Sequence, residues 1–205
     1  MEKKIITIKG QPYYYDAIEL SEDTAPAITF DEAKALLFKT KDILDDLGIS
    51  FSLAFGTLLG AIRERSFISH DYDIDIMTFE LDHLLEAIPI MEKKGLKLCR
   101  VTDGRLYSFR INEFYIDIYI IKNAPSILGW FSYMIGSDTI WKSYLKGFET
   151  IDFMGREFNI PKRPERVVKF WYGKSWRTPI PGYNGQPNIF PVYLYRKYLK
   201  KFIIK

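Results

Sequence analysis

Asp73 and Asp75 flank a single hydrophobic residue in the run Asp73-Ile74-Asp75-Ile76, and a strand there puts both carboxylates on one face while Ile74 and Ile76 enter the core. Like charges this close do not stay ionised together without a counter-ion, and a hard divalent cation with oxygen ligands supplies one. The pattern asks for Mg²⁺, with Mn²⁺ able to take its place. Upstream, Gly56 and Thr57 stand where a strand hands over to a helix, and exposed amides at the positive helix N-terminus form an anion site. Phosphate beside metal is the implied arrangement. Arg63, about two helical turns further on, is the cation assigned to a diphosphate, since a guanidinium fork matches phosphate geometry. Asp117 lies in the apolar run Phe114-Tyr115-Ile116-Asp117-Ile118-Tyr119-Ile120, where a carboxylate without a partner would be rare.

These residues need elements to carry them. Thr29 and Glu32 form a capping-box pair, and apolar residues at helical spacing then run to Gly48. The spacing predicts one long helix feeding a strand near residues 50–55, then helical turns through Leu58-Leu59-Gly60-Ala61-Ile62-Arg63, a polar loop and the aspartate strand. A second helix follows over Leu81, Leu84, Leu85, Ile88 and Met91, interrupted or kinked by Pro89 and closed by Gly95. Strands are expected at 96–102, 105–111 and 114–121, joined by turns at Asp103-Gly104 and Asn112-Glu113. The aromatic stretch 127–146 reads as helical pieces, 148–153 and 156–160 as a hairpin, and 164–171 as a short helix. Short extended pieces at 4–8 and 12–18 are peripheral. The fold class is α+β, with residues 1–28 an N-terminal extended segment, 29–190 the catalytic domain and 191–205 a tail.

The string GTLLGAIRERSFISHDYDIDI resembles the signature of the LicD/fukutin family of phosphotransferases, and its turn followed by an Asp-hydrophobe-Asp strand resembles the polymerase-β-like nucleotidyltransferase superfamily. The resemblance covers about residues 30–181. It implies a nucleotidyltransferase-type mixed or antiparallel sheet flanked by helices in a single domain. It also implies a metal-dependent transfer of a phosphorylated alcohol, such as phosphocholine or ribitol or glycerol phosphate, from a CDP-activated donor to a glycan hydroxyl or a lipid-linked glycan precursor. Ile116-Asp117-Ile118-Tyr119 is similar to the family's hydrophobe-Asp-Ile-Phe motif, which makes Asp117 the third metal ligand beside Asp73 and Asp75. Catalysis falls to the same three aspartates, with Asp117 taking the acceptor proton. Tyr172-Gly173-Lys174-Ser175-Trp176-Arg177-Thr178-Pro179 is similar to the element that closes over the site in such proteins. Where relatives read Trp-Asp-Asp-Asp-Ile-Asp, this chain reads His70-Asp71-Tyr72-Asp73-Ile74-Asp75, so His70 and Asp71 are assigned to substrate binding. Two other classes share these residues: transfer of a nucleoside monophosphate from an NTP, and a non-catalytic nucleotide-binding module.

With 205 residues, 47% hydrophobic and 27% charged, the chain can bury a core, and a net charge of +3 without basic runs interleaved with aromatics argues against nucleic acid as a partner. The lone Cys99 excludes an internal disulfide and a multi-cysteine zinc site. The N-terminus is too short in apolar residues for a signal sequence, so a cytoplasmic location is expected. His83 has no partner that the sequence identifies. In the tail, Val192, Tyr195, Leu199, Phe202 and Ile203 can share a helical face flanked by Lys197, Lys200, Lys201 and Lys205. Such a segment suits peripheral contact with an anionic membrane, where a lipid-linked acceptor would be met.

Overall fold

The computed structural model describes residues 2–19, 29–69 and 73–179; the tail at 191–205 and the residues His70 and Asp71 lie outside the described residues. The Thr29 hydroxyl accepts the Glu32 amide while the Glu32 carboxylate accepts the Thr29 amide, so the expected capping box starts α1 (Phe30–Asp46). Gly48, at φ 69°, ends it by letting the Ile49 amide turn back onto the Leu44 carbonyl at 2.8 Å. Then come β3 (Ser52–Leu53), α2 (Phe55–Arg63), β4 (Ile74–Thr78) and α3 (Leu81–Lys93). Pro89 sits within α3 rather than interrupting it, and Gly95, at φ 91°, closes it as expected.

β5 (Lys97–Thr102), β6 (Leu106–Ile111) and β7 (Phe114–Asn123) complete a mixed sheet in the order β3-β4-β7-β6-β5. The β4–β7 pair is parallel and the other three are antiparallel. A parallel pair needs a crossover, and α3 with the β5–β6 hairpin provides it. Asp103 and Gly104 both take positive φ, but the loop holds three residues because Thr102 pairs with Leu106. Ile74, Ile76, Ile116, Ile118 and Ile120 are fully buried. Each such side chain contributes roughly 1.5–3 kcal/mol by leaving water. α1 packs against β7, and α3 against β5.

One stretch differs from expectation. Residues 126–144 form a 3₁₀ turn (Ser126–Trp130), then the hairpin β8 (Ser132–Ile135) and β9 (Asp138–Trp141), and a second 3₁₀ turn (Lys142–Tyr144). Aromatic and β-branched residues suit a pleated surface as well as a helix. Here Gly136, at φ 57°, makes a two-residue turn, and β8 pairs with the far end of β7, extending the sheet. The expected hairpin after it is present as β10 (Phe148–Phe153) and β11 (Arg156–Pro161), followed by α4 (Pro164–Tyr172), which packs on α2. At the other end, β1 (Glu2–Ile8) and β2 (Gln11–Ala17) pair as a hairpin that lies against β5. Among the described residues, no helix is long and apolar enough to cross a membrane.

Gly60, inside α2, is where the chain leading to the aspartate strand folds back most tightly. A Cβ there would lie 2.4 Å from the Ser66 carbonyl oxygen and 3.3 Å from the Ile68 amide, both backbone atoms that cannot swing aside. Gly60→Ala is therefore expected to destabilise the chain by about 1–3 kcal/mol despite alanine's better helix propensity. Chemical denaturation measures it; an alanine variant as stable as wild type, or more so, would contradict this packing.

Candidate active site

Asp75 and Asp117 sit directly opposite each other across the parallel β4–β7 pair. Adjacent strands are roughly 4.8 Å apart, so this register sets two carboxylates side by side on one face. Asp73 precedes Asp75 by two residues and joins the same face, and one oxygen from each of the three lies within 4.8 Å of the others. Asp75 is 6% exposed and Asp117 2%, with Asp73 partly exposed. An all-oxygen donor set at this spacing fits a hard divalent cation.

Residues 54–57 hold Asp75 from three directions. Its carbonyl accepts the Ala54 amide at 3.1 Å, its amide donates to Thr57 Oγ1 at 2.8 Å, and its carboxylate accepts the Gly56 amide at 3.2 Å. The expected strand to residue 55 stops at Leu53, Ala54 caps α2, and Gly56 and Thr57 lie in the first helical turn rather than before it. Phe55 takes a positive φ, at 35°, a conformation that costs an aromatic residue about 1–3 kcal/mol. Phe55 is held there between Tyr119 and Trp171, with ring centroids 4.8 and 4.4 Å away. Thr57 is buried and its Oγ1 accepts the Asp75 amide, so it positions the aspartate strand against α2.

Asp117 is held just as fully, by residues that sequence reasoning passed over. Ser108 Oγ donates to Asp117 Oδ1 at 2.5 Å, and Arg100 Nη2 donates to Oδ2 at 2.6 Å. Burial raises the proton affinity of this carboxyl, and the Arg100 charge and the Ser108 hydrogen bond pull it back. The only prior signal for these two was their place on neighbouring strands of a meander whose facing could not be read. Tyr115 and Tyr119 alternate onto the same face of β7 as Asp117, and burial together with the carboxylates pushes both phenols well above their ordinary range.

Arg63 is not brought to this cluster. Its guanidinium donates to Glu64 Oε1 at 3.0 and 2.5 Å and to the Trp176 carbonyl at 3.2 Å, tying the closing segment to the end of α2. These contacts use three of the five guanidinium N–H groups. His83 is paired after all: Nδ1 lies 2.9 Å from Glu80 Oε2, which pushes the exposed imidazole's pKa up.

The nucleotidyltransferase-domain model of LicD/FKTN/FKRP matches residues 48–163, more than half of the chain, and includes Asp73, Asp75 and Asp117. The chain belongs to the LicD/FKTN/FKRP family. Among curated proteins, this family member is similar to ribitol-5-phosphate transferase FKTN of Mus musculus, 26% identical over 193 residues, covering 84% of this chain and 40% of that one. The Homo sapiens protein of the same name is 24% identical with the same coverage, so the chain spans about 40% of the length of these relatives. Among solved structures, the antibiotic-resistance factor ANT(2'')-Ia aligns with a TM-score of 0.51 at 13% identity, covering 84% of this chain and 88% of that one, which shows a shared fold.

The Thr57 contact has a measurable consequence. Thr57→Ala leaves the buried Asp75 amide without an acceptor, at a cost of about 1–3 kcal/mol, whereas Thr57→Ser keeps the oxygen and most of the stability. Thermal and denaturant unfolding of the pair would test this, and equal stability of the alanine variant and wild type would remove Oγ1 as the acceptor.

Proposed function

We propose that this chain transfers a phosphorylated alcohol, with a polyol phosphate such as ribitol or glycerol phosphate or phosphocholine as candidates, from a CDP-activated donor to a glycan hydroxyl or a lipid-linked glycan precursor. The observation that carries the reading is the gathering of Asp73, Asp75 and Asp117 within 4.8 Å of one another, inside the family-matched residues 48–163. The similarity to proteins named as ribitol-5-phosphate transferases supports the substrate class.

Asp73, Asp75 and Asp117 would hold Mg²⁺ or Mn²⁺, which when bound supplies positive charge to a diphosphate and its leaving nucleotide. The first turn of α2 lies against Asp75, so a donor phosphate approaching the cluster meets the helix N-terminus, and Gly56 keeps that approach free of a side chain. Asp117 takes the proton from the attacking acceptor hydroxyl as the new phosphorus–oxygen bond forms and the bond to CMP breaks. His70 and Asp71, which precede the aspartate strand in sequence, contact substrate. We place the reaction at the inner face of the membrane, with the basic segment at 191–205 making peripheral contact with anionic lipid.

Asp75→Asn tests the reading. Removing one charge from a crowded cluster relieves repulsion, and the new amide oxygen still accepts the Gly56 N–H, so the metal-free variant should be no less stable than wild type. Transfer should fall by a hundredfold or more, roughly the effect of removing a preorganised electrostatic contact. The assay follows CMP release from CDP-ribitol, CDP-glycerol and CDP-choline with Mg²⁺ and a glycan acceptor. A folded Asp75→Asn chain with wild-type turnover would sink the assignment, and pyrophosphate release from an NTP in place of CMP would redirect it to nucleotidyl transfer.

A further inference from the structure

β5 carries an irregularity at one position only. Leu98 pairs with Phe109 and Arg100 with Ser108, so Cys99 is an extra residue with no partner on β6. In an unbroken antiparallel ladder Cys99 would face Ser108, and Arg100 would face Tyr107 on the opposite side of the sheet. The bulge reverses this. It turns the Arg100 side chain onto the face that holds Ser108, Asp117 and Asp75, one residue per strand across β5, β6, β7 and β4. Bulges recur beside functional sites because they re-aim a single side chain.

What the bulge delivers is a closed ring of hydrogen bonds. Arg100 Nε donates to Ser108 Oγ at 2.9 Å, Ser108 Oγ donates to Asp117 Oδ1 at 2.5 Å, and Arg100 Nη2 donates to Asp117 Oδ2 at 2.6 Å. Both carboxylate oxygens are gripped, so the carboxylate plane is fixed. The guanidinium also lies over the Tyr115 ring, 5.6 Å from its centroid. The bulge is secured in turn. The Cys99 carbonyl accepts the Ile18 amide at 3.0 Å, and the Cys99 thiol, its pKa pushed up to about 12 by burial, stays neutral and donates to the Ser108 carbonyl at 3.3 Å. Ile18 follows β2, so the N-terminal hairpin braces a strand irregularity that sits behind the carboxylates.

We propose that Arg100 and Ser108 are positioning residues for Asp117, delivered by the Cys99 bulge, and that they set the orientation in which this carboxylate joins Asp73 and Asp75 around a divalent cation. This rests on the metal reading above and adds to it the residues that aim the third ligand. Lysine at position 100 keeps the charge but lacks the rigid fork that reaches Ser108 Oγ and Asp117 Oδ2 together, and alanine at 108 removes the hold on Oδ1 without altering charge.

Mn²⁺ titration of the intact chain, followed by the loss of free-ion signal in electron paramagnetic resonance, separates geometry from charge. Arg100→Lys and Ser108→Ala, each shown by circular dichroism to be folded, are expected to raise the Mn²⁺ dissociation constant about tenfold or more, the usual effect of losing a partner behind a metal ligand. Asp75→Asn serves as the control that weakens binding by removing a ligand outright. If both variants bind Mn²⁺ within twofold of a wild type that binds it and is weakened by Asp75→Asn, the ring is structural only and the proposal is overturned while the metal site stands. A wild type that takes up no Mn²⁺ overturns the metal reading and this one together.

Discussion

Two carboxylates facing each other across a parallel strand pair, both nearly dry, are the constraint to which the rest of this structure answers. Unscreened like charges at adjacent-strand spacing repel strongly in a medium of low polarity. Donors around Asp75 and Asp117 offset part of that cost, among them the Gly56 amide on one and the Ser108 hydroxyl and the Arg100 guanidinium on the other. The repulsion that remains is what the proposed divalent cation would offset. The parallel register is itself the product of the crossover through α3 and the β5–β6 hairpin, so the topology sets the distance between the charges.

A second layer keeps the first in place. α2 begins at Phe55 in a strained conformation that its contacts with Tyr119 and Trp171 oppose, and that start aims the Gly56 amide at Asp75. α4 supplies Trp171, and the segment after it is fastened to the end of α2 by Arg63 through the Trp176 carbonyl. Arg63 thus acts on the site at one remove, through the helix whose first turn touches the aspartate. Similar reasoning applies to the N-terminal hairpin, which lies outside the family-matched residues 48–163 yet donates its Ile18 amide to the bulged Cys99.

Local pattern carried much of this. The Asp-hydrophobe-Asp alternation placed Asp73 and Asp75 on one face because strand periodicity is rigid, and Thr29 with Glu32 marked the start of α1 because a capping box is a four-residue device. Asp117 stood out as a carboxylate in an apolar strand. Arg100 did not, because a one-residue bulge inverts the alternation on which any reading of its facing would depend. Thr57 looked like a ligand contact beside Gly56; its acceptor role toward Asp75, 18 residues away, exists only once α2 and β4 have packed. Residues 126–144 were ambiguous for another reason. Their aromatics suit either periodicity, and pairing with β7 decided for strand.

The central claim is that three aspartates from two parallel strands hold one divalent cation. Crystals of the intact chain grown with Mn²⁺, with diffraction measured at the manganese absorption edge, test it most directly. The account predicts an anomalous peak about 2 Å from carboxylate oxygens of Asp73, Asp75 and Asp117, with Arg100 and Ser108 still on Asp117. A peak bound elsewhere, or none at saturating Mn²⁺ with the three carboxylates ordered, would contradict it.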